Sequence, residues 1–273
     1  MPINASVDGH IMLIEIEGET TYNPMTQDMY LALHDRFQEF EYESKYRVAV
    51  LHGAGGSNFS VGGHLTHVNR HAGEMLTTEA VLSQYFYPHE QTAGRMIGGT
   101  RRLGQLQVTK PVIGAVRGYC LGAALIILGQ KTDVRIAGHS AKFGLTEIKR
   151  GLGGGAAVAS RLREQIPWAW LMWMVSTGES IDADTAWRIG LVNELVDDDA
   201  VVDRALEVAA VVAAMPPLAV RSEKQALVET AGLPFERALA MASTLSVLTR
   251  MTDDVKEGIA AFADKRPPEF KGR

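Results

Sequence analysis

Residues 110–162 decide the fold, and they read KPVIGAVRGYCLGAALIILGQKTDVRIAGHSAKFGLTEIKRGLGGGAAVASRL. An apolar strand (residues 111–116) leads into a small-residue turn that enters a helix (residues 118–125). A lone acid, Glu147, then precedes a glycine run (residues 151–155). This order predicts a backbone anion site and one proton-transfer group close together in space. Those are the parts needed to form and quench an enolate.

Composition limits the classes of protein that this chain can be. At 273 residues and 46% hydrophobic, it can bury a large core. The net charge is −5 and no block of Lys or Arg occurs, which argues against a nucleic-acid partner. A single cysteine, Cys120, excludes an intrachain disulfide and favours a cytoplasmic location. Residues 1–9 lack a secretory pattern, and no apolar stretch reaches the roughly 18 residues of a membrane span.

Short β-like runs alternate with helical segments in the first two thirds of the chain, which predicts α/β architecture. Past Asp197 no strand pattern remains, so we expect an α/β core over residues 1–197 and a helical region over residues 198–273. The late helices are apolar, and they pack either on their own core or on a neighbouring subunit. The predicted strands are residues 10–17, 47–53, 111–116 and 134–137. Between the first two we expect a helix, because Met29, Leu33, Phe37 and Phe40 keep to one face at helical spacing. The predicted late helices are residues 201–215, 218–230, 235–249 and 255–264.

Two glycine-containing turns follow apolar strands: residues 53–65 (GAGGSNFSVGGHL) and 118–125 (GYCLGAAL). Glycine and alanine let backbone N–H groups approach a ligand, and a helix start adds unsatisfied donors. Such turns can hold an oxyanion, although ordinary tight turns have the same composition. Neither turn matches the GxGxxG or GxxxxGK[ST] patterns, which argues against nucleotide binding.

Glu147 lies between apolar residues, just before the glycine run. Partly apolar surroundings disfavour the charged carboxylate and raise its pKa toward values useful for proton transfer. The sequence therefore makes Glu147 a candidate general acid or base. The alternative is a capping or ion-paired glutamate with Lys149 or Arg150 nearby.

Several ordered motifs together resemble the crotonase (enoyl-CoA hydratase/isomerase) superfamily, over nearly the whole chain. The core of the resemblance is KPVIGAV, then GYCLGAA, then Asp133, then AKFG with Glu147. The segment FSVGGHL resembles the other oxyanion-hole turn of that family. Further matches are residues 151–162, 177–178, 190–192, 261–266 and 270–271.

The resemblance implies a fold, a site and a substrate. The fold is a spiral of ββα units with a helical C-terminal region that trimerises, often into a dimer of trimers. The backbone N–H groups of Gly63 and Ala123 would bind the thioester oxygen of an acyl-CoA, with Glu147 as acid/base. Coenzyme A enters as part of the substrate, with no tightly bound cofactor and no metal. Its predicted contacts are Tyr22, Asn23, Met25, Gly63, His64, Leu65 and Lys265.

Ile126 is the departure that bears on the reaction. Hydratases of the family hold water between two glutamates, and the first of these matches Ile126 here. One carboxylate remains, which suffices for isomerases that resemble this chain. We expect enoyl-CoA hydration or double-bond isomerisation. The alternatives are a carbon–carbon bond hydrolase or decarboxylase for a bulky acyl-CoA, and a degenerate acyl-CoA-binding subunit.

Two further departures concern the segment after the first turn. His64 stands where the family usually has Asp, and His67, His71 and Glu74 follow at helical spacing. A metal site fits these residue types, but a polar or solvated helix is the expectation. About 45 residues separate Leu65 from Lys110, more than the family usually has. In residues 84–90, the aromatic side chains either line an acyl pocket, with His89 or Glu90 replacing the missing carboxylate, or pack ordinarily around a bend at Pro88.

Overall fold

The computed structural model describes residues 3–64, 78, 103–153 and 155–273. Nine strands and ten α-helices have both of their ends within these ranges. The strands are β1 (Ile3–Asp8), β2 (Ile11–Ile16), β3 (Val48–Gly53), β4 (Val112–Val116), β5 (Tyr119–Leu121), β6 (Val134–Gly138), β7 (Lys142–Gly144), β8 (Ile181–Asp182) and β9 (Glu194–Val196). The helices are α1 (Gln27–Tyr42), α2 (Ala123–Lys131), α3 (Ala156–Ala159), α4 (Leu162–Gln165), α5 (Trp168–Thr177), α6 (Ala183–Arg188), α7 (Val201–Ala213), α8 (Pro217–Glu229), α9 (Phe235–Arg250) and α10 (Asp253–Asp264). Three short 3-10 turns occupy Ala54–Gly56, Thr146–Arg150 and Asp198–Ala200.

The strands form two sheets. The larger has the order β1-β2-β3-β4-β6-β9, antiparallel between β1 and β2 and parallel elsewhere. The smaller has the order β5-β7-β8. Parallel neighbours joined by helices are the arrangement that the alternating pattern predicts. The four predicted strands are confirmed as β2, β3, β4 and β6.

Two parts of the secondary structure differ from the prediction. Strand β1 gives no clear sequence signal because only Ile3 of its six residues is buried. Residues 118–125 do not pass straight from turn to helix: Tyr119–Leu121 pairs in parallel with β7 before α2 begins at Ala123. The second glycine turn is therefore held between strand β5 and helix α2.

Buried side chains cover both faces of the larger sheet. The larger apolar cluster includes Leu33, Phe37 and Phe40 of α1, as their helical spacing predicts. The smaller cluster packs helix α7 against β3, β4 and β6. The four predicted late helices are confirmed as α7 to α10. The division of the chain at residue 197 stays a prediction, and α7 is part of the packed core beside the sheet.

Helix α8 is held on the core by buried and half-buried ionic contacts. Arg221 Nη2 donates to Glu41 Oε1 at 2.7 Å, and its Nε donates to Thr109 Oγ1 at 2.9 Å. Lys224 Nζ donates to Asp133 Oδ2 at 2.7 Å. Glu41 is buried, so removing Arg221 would leave a buried carboxylate without its counter-charge.

Taken singly, no helix in the described ranges has both the length and the apolar composition needed to cross a membrane. The segments Asp198–Ala213 and Pro217–Glu229 meet those criteria only as a pair, bent by 106°.

Candidate active site

Backbone hydrogen bonds join residues 22–25 to the first glycine turn. Val61 N donates to Tyr22 O at 3.0 Å, Met25 N donates to Gly62 O at 2.8 Å, and His64 N donates to Met25 O at 2.9 Å. The Ser60 hydroxyl also donates to a carbonyl of this segment. Gly63 therefore sits in a backbone framework that does not depend on flexible side chains.

The second glycine turn, between β5 and α2, lies directly against the first. Leu121 N donates to Ser60 O at 3.0 Å, and Gly122 N donates to Gly144 O at 2.8 Å. Gly62 has φ +84°, and a Cβ there would lie 2.6 Å from Leu121 O and 2.9 Å from Ala123 N. No residue with a side chain fits this contact without moving backbone. The glycine thus permits the close approach of the two turns.

Each turn presents a backbone donor with no internal acceptor. Within the described part of the chain, neither the Gly63 N–H nor the Ala123 N–H donates a hydrogen bond. Ala123 is the first residue of α2, where an N–H has no intrahelical partner and the helix dipole favours negative charge. Two such donors on adjacent turns are suited to an oxyanion.

Glu147 lies beside the second turn, in the 3-10 turn Thr146–Arg150. Its Oε1 would be 3.0 Å from a Cβ at Gly122, whose φ of +56° and ψ of −126° already exclude most other residues. Oε2 is buried and makes no hydrogen bond within the described residues. Burial raises the pKa of Glu147, while a backbone hydrogen bond and the charge of Arg150 partly oppose the rise. The site therefore favours a carboxyl that can hold a proton.

The alternative prediction that Glu147 forms an ion pair with Lys149 or Arg150 is wrong, because neither pair occurs in the part of the chain that the structure describes. Lys149 Nζ instead contacts Glu179 Oε1 at 2.7 Å. Arg150 Nη1 donates to the carbonyl of Thr146 at 3.4 Å. Neither basic neighbour forms an ion pair with Glu147, so its carboxyl can accept or donate a proton.

The predicted coenzyme A contacts divide into exposed and buried side chains. Tyr22 is half exposed and packs its ring against Tyr119, with centroids 6.1 Å apart. Asn23 is buried and donates to the carbonyls of Ala54 and Asn58. Met25 is buried as well. Asn23 and Met25 therefore shape the turn from inside, and a ligand meets them through the backbone only.

The other predicted residues are placed as follows. His64 contacts the carboxylate of Glu19 through Nε2. Lys265 caps the carboxyl end of α10 with φ +55° and is exposed. Leu65, His67, His71, Glu74 and residues 84–90 lie outside the described residues. Among the residues that are described, no group of three or more His, Cys, Asp or Glu could hold a metal ion.

Ile126 and Tyr30 complete the surroundings of the two turns. Ile126 lies in the first turn of α2, partly buried against the core, with no polar group to offer. Tyr30 of α1 is 3% exposed, and its hydroxyl would lie 3.7 Å from a Cβ at Gly63. Tyr30 is not among the site residues that the sequence predicts. The available signal was a tyrosine next to Met29 on the buried side of an otherwise apolar helix face.

Comparisons with known proteins show which family and which structures this chain resembles. The family model described as enoyl-CoA hydratase/isomerase matches residues 6–273. The chain is 32% identical to (E)-benzylidenesuccinyl-CoA hydratase of Thauera aromatica, over 100% of both chains. It is 30% identical to the short-chain-enoyl-CoA hydratase of Clostridium acetobutylicum, covering 97% of this chain and 96% of that protein. The crystal structure of enoyl-CoA hydratase from Mycobacterium tuberculosis H37Rv superposes with a TM-score of 0.83 at 30% identity, covering 100% of this chain and 99% of that one.

Proposed function

The chain belongs to the enoyl-CoA hydratase/isomerase family, and we propose that it catalyses hydration of an enoyl-CoA through a thioester enolate. As a family member it has the crotonase fold and is an acyl-CoA enzyme of the lyase or isomerase type. Hydration takes first place because both relatives described above are hydratases. Double-bond isomerisation takes second place because Ile126 leaves a single carboxylate, which is enough to move a proton between two carbons.

The observation that carries the proposal is the position of Glu147. Its half-buried carboxyl, with a buried Oε2 and no paired cation in the described ranges, lies against the turn that ends in Ala123. The free N–H groups of Gly63 and Ala123 are on the same two turns. A proton-transfer group and an oxyanion site thus adjoin each other, as enolate chemistry requires.

In the proposed mechanism, the Gly63 and Ala123 N–H groups bind the thioester oxygen. Each donor to the developing oxyanion is worth about 3 kcal/mol of transition-state stabilisation. As the oxygen of water bonds to the β-carbon, the Glu147 carboxylate takes a proton from that water and the double-bond electrons move to the thioester oxygen. The enolate then collapses, and Glu147 returns the proton to the α-carbon. Water has been added and the carboxylate is restored.

Isomerisation uses the same groups with a carbon acid in place of water. The Glu147 carboxylate removes a proton from the γ-carbon, and the electrons pass through the double bond to the thioester oxygen. Glu147 then gives the proton to the α-carbon as the enolate collapses. No water enters, so the reaction needs no second carboxylate.

We assign coenzyme A binding to the face that carries Tyr22, with His64 on the first glycine turn and Lys265 as the cation. Leu65 stays a predicted contact. The half-exposed ring of Tyr22 supports this assignment. Asn23 and Met25 contribute by fixing the backbone. Coenzyme A belongs to the substrate and is released with the product, so the reaction needs no tightly bound cofactor.

We propose that the active form is a homotrimer or a dimer of trimers. Large apolar side chains stay exposed in one subunit, which is unusual unless another surface covers them. They include Trp168 at 69%, Phe235 at 74% and Phe262 at 88% exposure. Light scattering coupled to gel filtration tests the assignment: a mass near three or six times 29.7 kDa is expected, and a monomer would refute it.

A product assay across straight-chain and ring-bearing enoyl-CoA thioesters tests the reaction. A 3-hydroxyacyl-CoA product indicates hydration, and a shifted double bond indicates isomerisation. Free acid or carbon dioxide would instead indicate bond hydrolysis or decarboxylation, and acyl-CoA binding without turnover would indicate a degenerate subunit. Glu147→Gln is expected to lower turnover by about 10²- to 10⁴-fold, whereas Glu179→Gln, which alters an exposed carboxylate paired with Lys149, is expected to keep it.

A further inference from the structure

Tyr30 has a buried hydroxyl that the fold does not use. The residue is 3% exposed, and its hydroxyl makes no hydrogen bond within the described part of the molecule. A buried hydroxyl without a partner costs stability, because it has lost its hydrogen bonds to water. Phenylalanine would fill the same apolar space without that cost. An unsatisfied hydroxyl at a substrate site is therefore more readily explained by a ligand than by the packing of the core.

The hydroxyl lies beside Gly63, on the first glycine turn. It would be 3.7 Å from a Cβ at Gly63, the residue that supplies one of the two free backbone donors. The position follows from local structure: Thr26 caps α1, and Met25 before it is bonded to the Gly62 and His64 backbone. The first turn of the helix therefore carries Tyr30 to the same glycine turn.

Tyr30 also stays protonated where it lies. Burial raises its pKa above the usual range for a phenol, and the negative charge of Glu147 raises it further. The influence of Glu147 places the phenol and the carboxyl in the same electrostatic surroundings. A phenol that keeps its proton acts as a hydrogen-bond donor, not as a base.

We propose that Tyr30 is a third oxyanion donor, whose hydroxyl bonds the thioester oxygen as negative charge develops on it. The inference rests on the proposed enolate chemistry and extends it. A neutral donor in a dry site strengthens as the charge forms and needs no reorganisation at that moment. It offsets part of the cost of working with one carboxylate, because a donor to the oxyanion lowers the energy of the transition states that lead to and from the enolate.

The experiment compares Tyr30→Phe with the matched variant Tyr46→Phe. Tyr46 is another 3% exposed tyrosine, but its hydroxyl donates to Glu39 Oε1 at 3.1 Å, and Glu39 belongs to no proposed catalytic group. For Tyr30→Phe we expect kcat to fall by about 10²-fold with KM within twofold of the parent value. Tyr46→Phe should keep kcat within twofold. The melting temperature of Tyr30→Phe should equal or exceed that of the parent protein.

Infrared difference spectroscopy of a bound enoyl-CoA, carbon-13 labelled at the thioester carbonyl, reads the proposed contact directly. The carbonyl stretch should move to higher wavenumber in Tyr30→Phe and stay unchanged in Tyr46→Phe. An unchanged stretch, an unchanged kcat, or a change in KM alone would overturn the role of Tyr30.

The spectrum separates this inference from the proposed function. If the parent protein binds an acyl-CoA but does not turn it over, the proposed reaction fails, while the carbonyl shift still reports on Tyr30. If the parent protein turns over enoyl-CoA and Tyr30→Phe matches it in rate and spectrum, only the Tyr30 inference fails. If the parent protein binds no acyl-CoA, both are refuted.

Discussion

Replacing Gly62 with alanine tests whether the contact between the two glycine turns sets the rate. The added Cβ would lie 2.6 Å from Leu121 O, which is 0.8 Å less than the 3.4 Å at which ordinary contact begins. It would also lie 2.9 Å from Ala123 N. Both atoms belong to the backbone, so the turns themselves must separate. A shift of this size breaks the narrow distance range in which both N–H groups reach one oxygen.

The expected loss follows from that displacement. Losing one oxyanion donor lowers kcat by about 10²- to 10³-fold, and a misplacement of about 1 Å costs about 10²-fold. We therefore expect Gly62→Ala to lower kcat by at least about 10²-fold, with a smaller change in KM because the contact strengthens in the transition state. Steady-state kinetics on the best substrate of the panel measures both constants.

Gly9→Ala is the matched control for Gly62→Ala. Gly9 also has a positive φ, +56°, but a Cβ there meets nothing within 4 Å. It shares the backbone strain, about 1–2 kcal/mol, without the contact. Gly9→Ala should lose stability in urea unfolding and keep its kcat. A Gly62→Ala enzyme that is folded and keeps more than a third of the parent kcat would refute the reasoning.

Three further results are expected. Gly122→Ala places a Cβ 3.0 Å from Glu147 Oε1 and should lower kcat by tenfold or more. The control is Gly151→Ala, which also has a positive φ (+70°) but no atom within 4 Å of the added Cβ, and which should keep its kcat. Equal losses of kcat in the two variants would argue against a role for the Gly122–Glu147 contact. Glu147→Gln should lower kcat by about 10²- to 10⁴-fold and remove the acid limb of the kcat/KM profile, a limb that should lie above the ordinary carboxyl pKa because burial raises it. Because the pKa of Glu147 is raised in the folded protein, the parent loses stability as pH rises through that folded pKa. Glu147→Gln should therefore be more stable than the parent at neutral pH and equally stable in acid. Urea unfolding at both pH values measures the difference. Arg221→Met leaves buried Glu41 with hydrogen bonds from Thr109 and from the Lys110 N–H but without its ion-pair partner, and should lower the free energy of unfolding by about 2–3 kcal/mol. The value of kcat per folded enzyme should be unchanged, and a loss under about 0.5 kcal/mol would contradict the prediction.

The order of elements could be predicted because it rests on local pattern. Apolar runs located β2, β3, β4 and β6, and the 3.6-residue spacing located α1. Strand β1 could not be found this way because it exposes all but its first side chain. Strand β5 is three residues long and exists because β7 pairs with it, which is a tertiary contact absent from local sequence.

The residues of the candidate site also differ in how well the sequence predicts them. Residues 118–125 and Glu147 signal their chemistry through composition, and the family resemblance supplied Gly63. The sequence marks Tyr30 only as a polar residue on an apolar helix face. Its position beside Gly63 depends on how α1 packs over the first turn, which local sequence does not show. Asn23 was predicted as a ligand contact, yet its amide donates to backbone carbonyls inside the turn. Sequence names the residue type at such positions but not the direction of the side chain.

The hydrogen bonds between residues 22–25 and the first glycine turn have a consequence for how this scaffold can change over evolution or in the laboratory. Those bonds use main-chain atoms, and the contact with the second turn requires only that Gly62 lack a side chain. The proposed anion site is therefore inherited with the chain path, whereas Ile126 and the other nearby side chains that take no part in the proposed chemistry are free to vary. New acyl specificities, or new fates for the enolate, can then arise by single substitutions on an unaltered frame. Library design on this protein should accordingly keep the glycines, Glu147 and Tyr30 fixed and randomise the other side chains around the two turns.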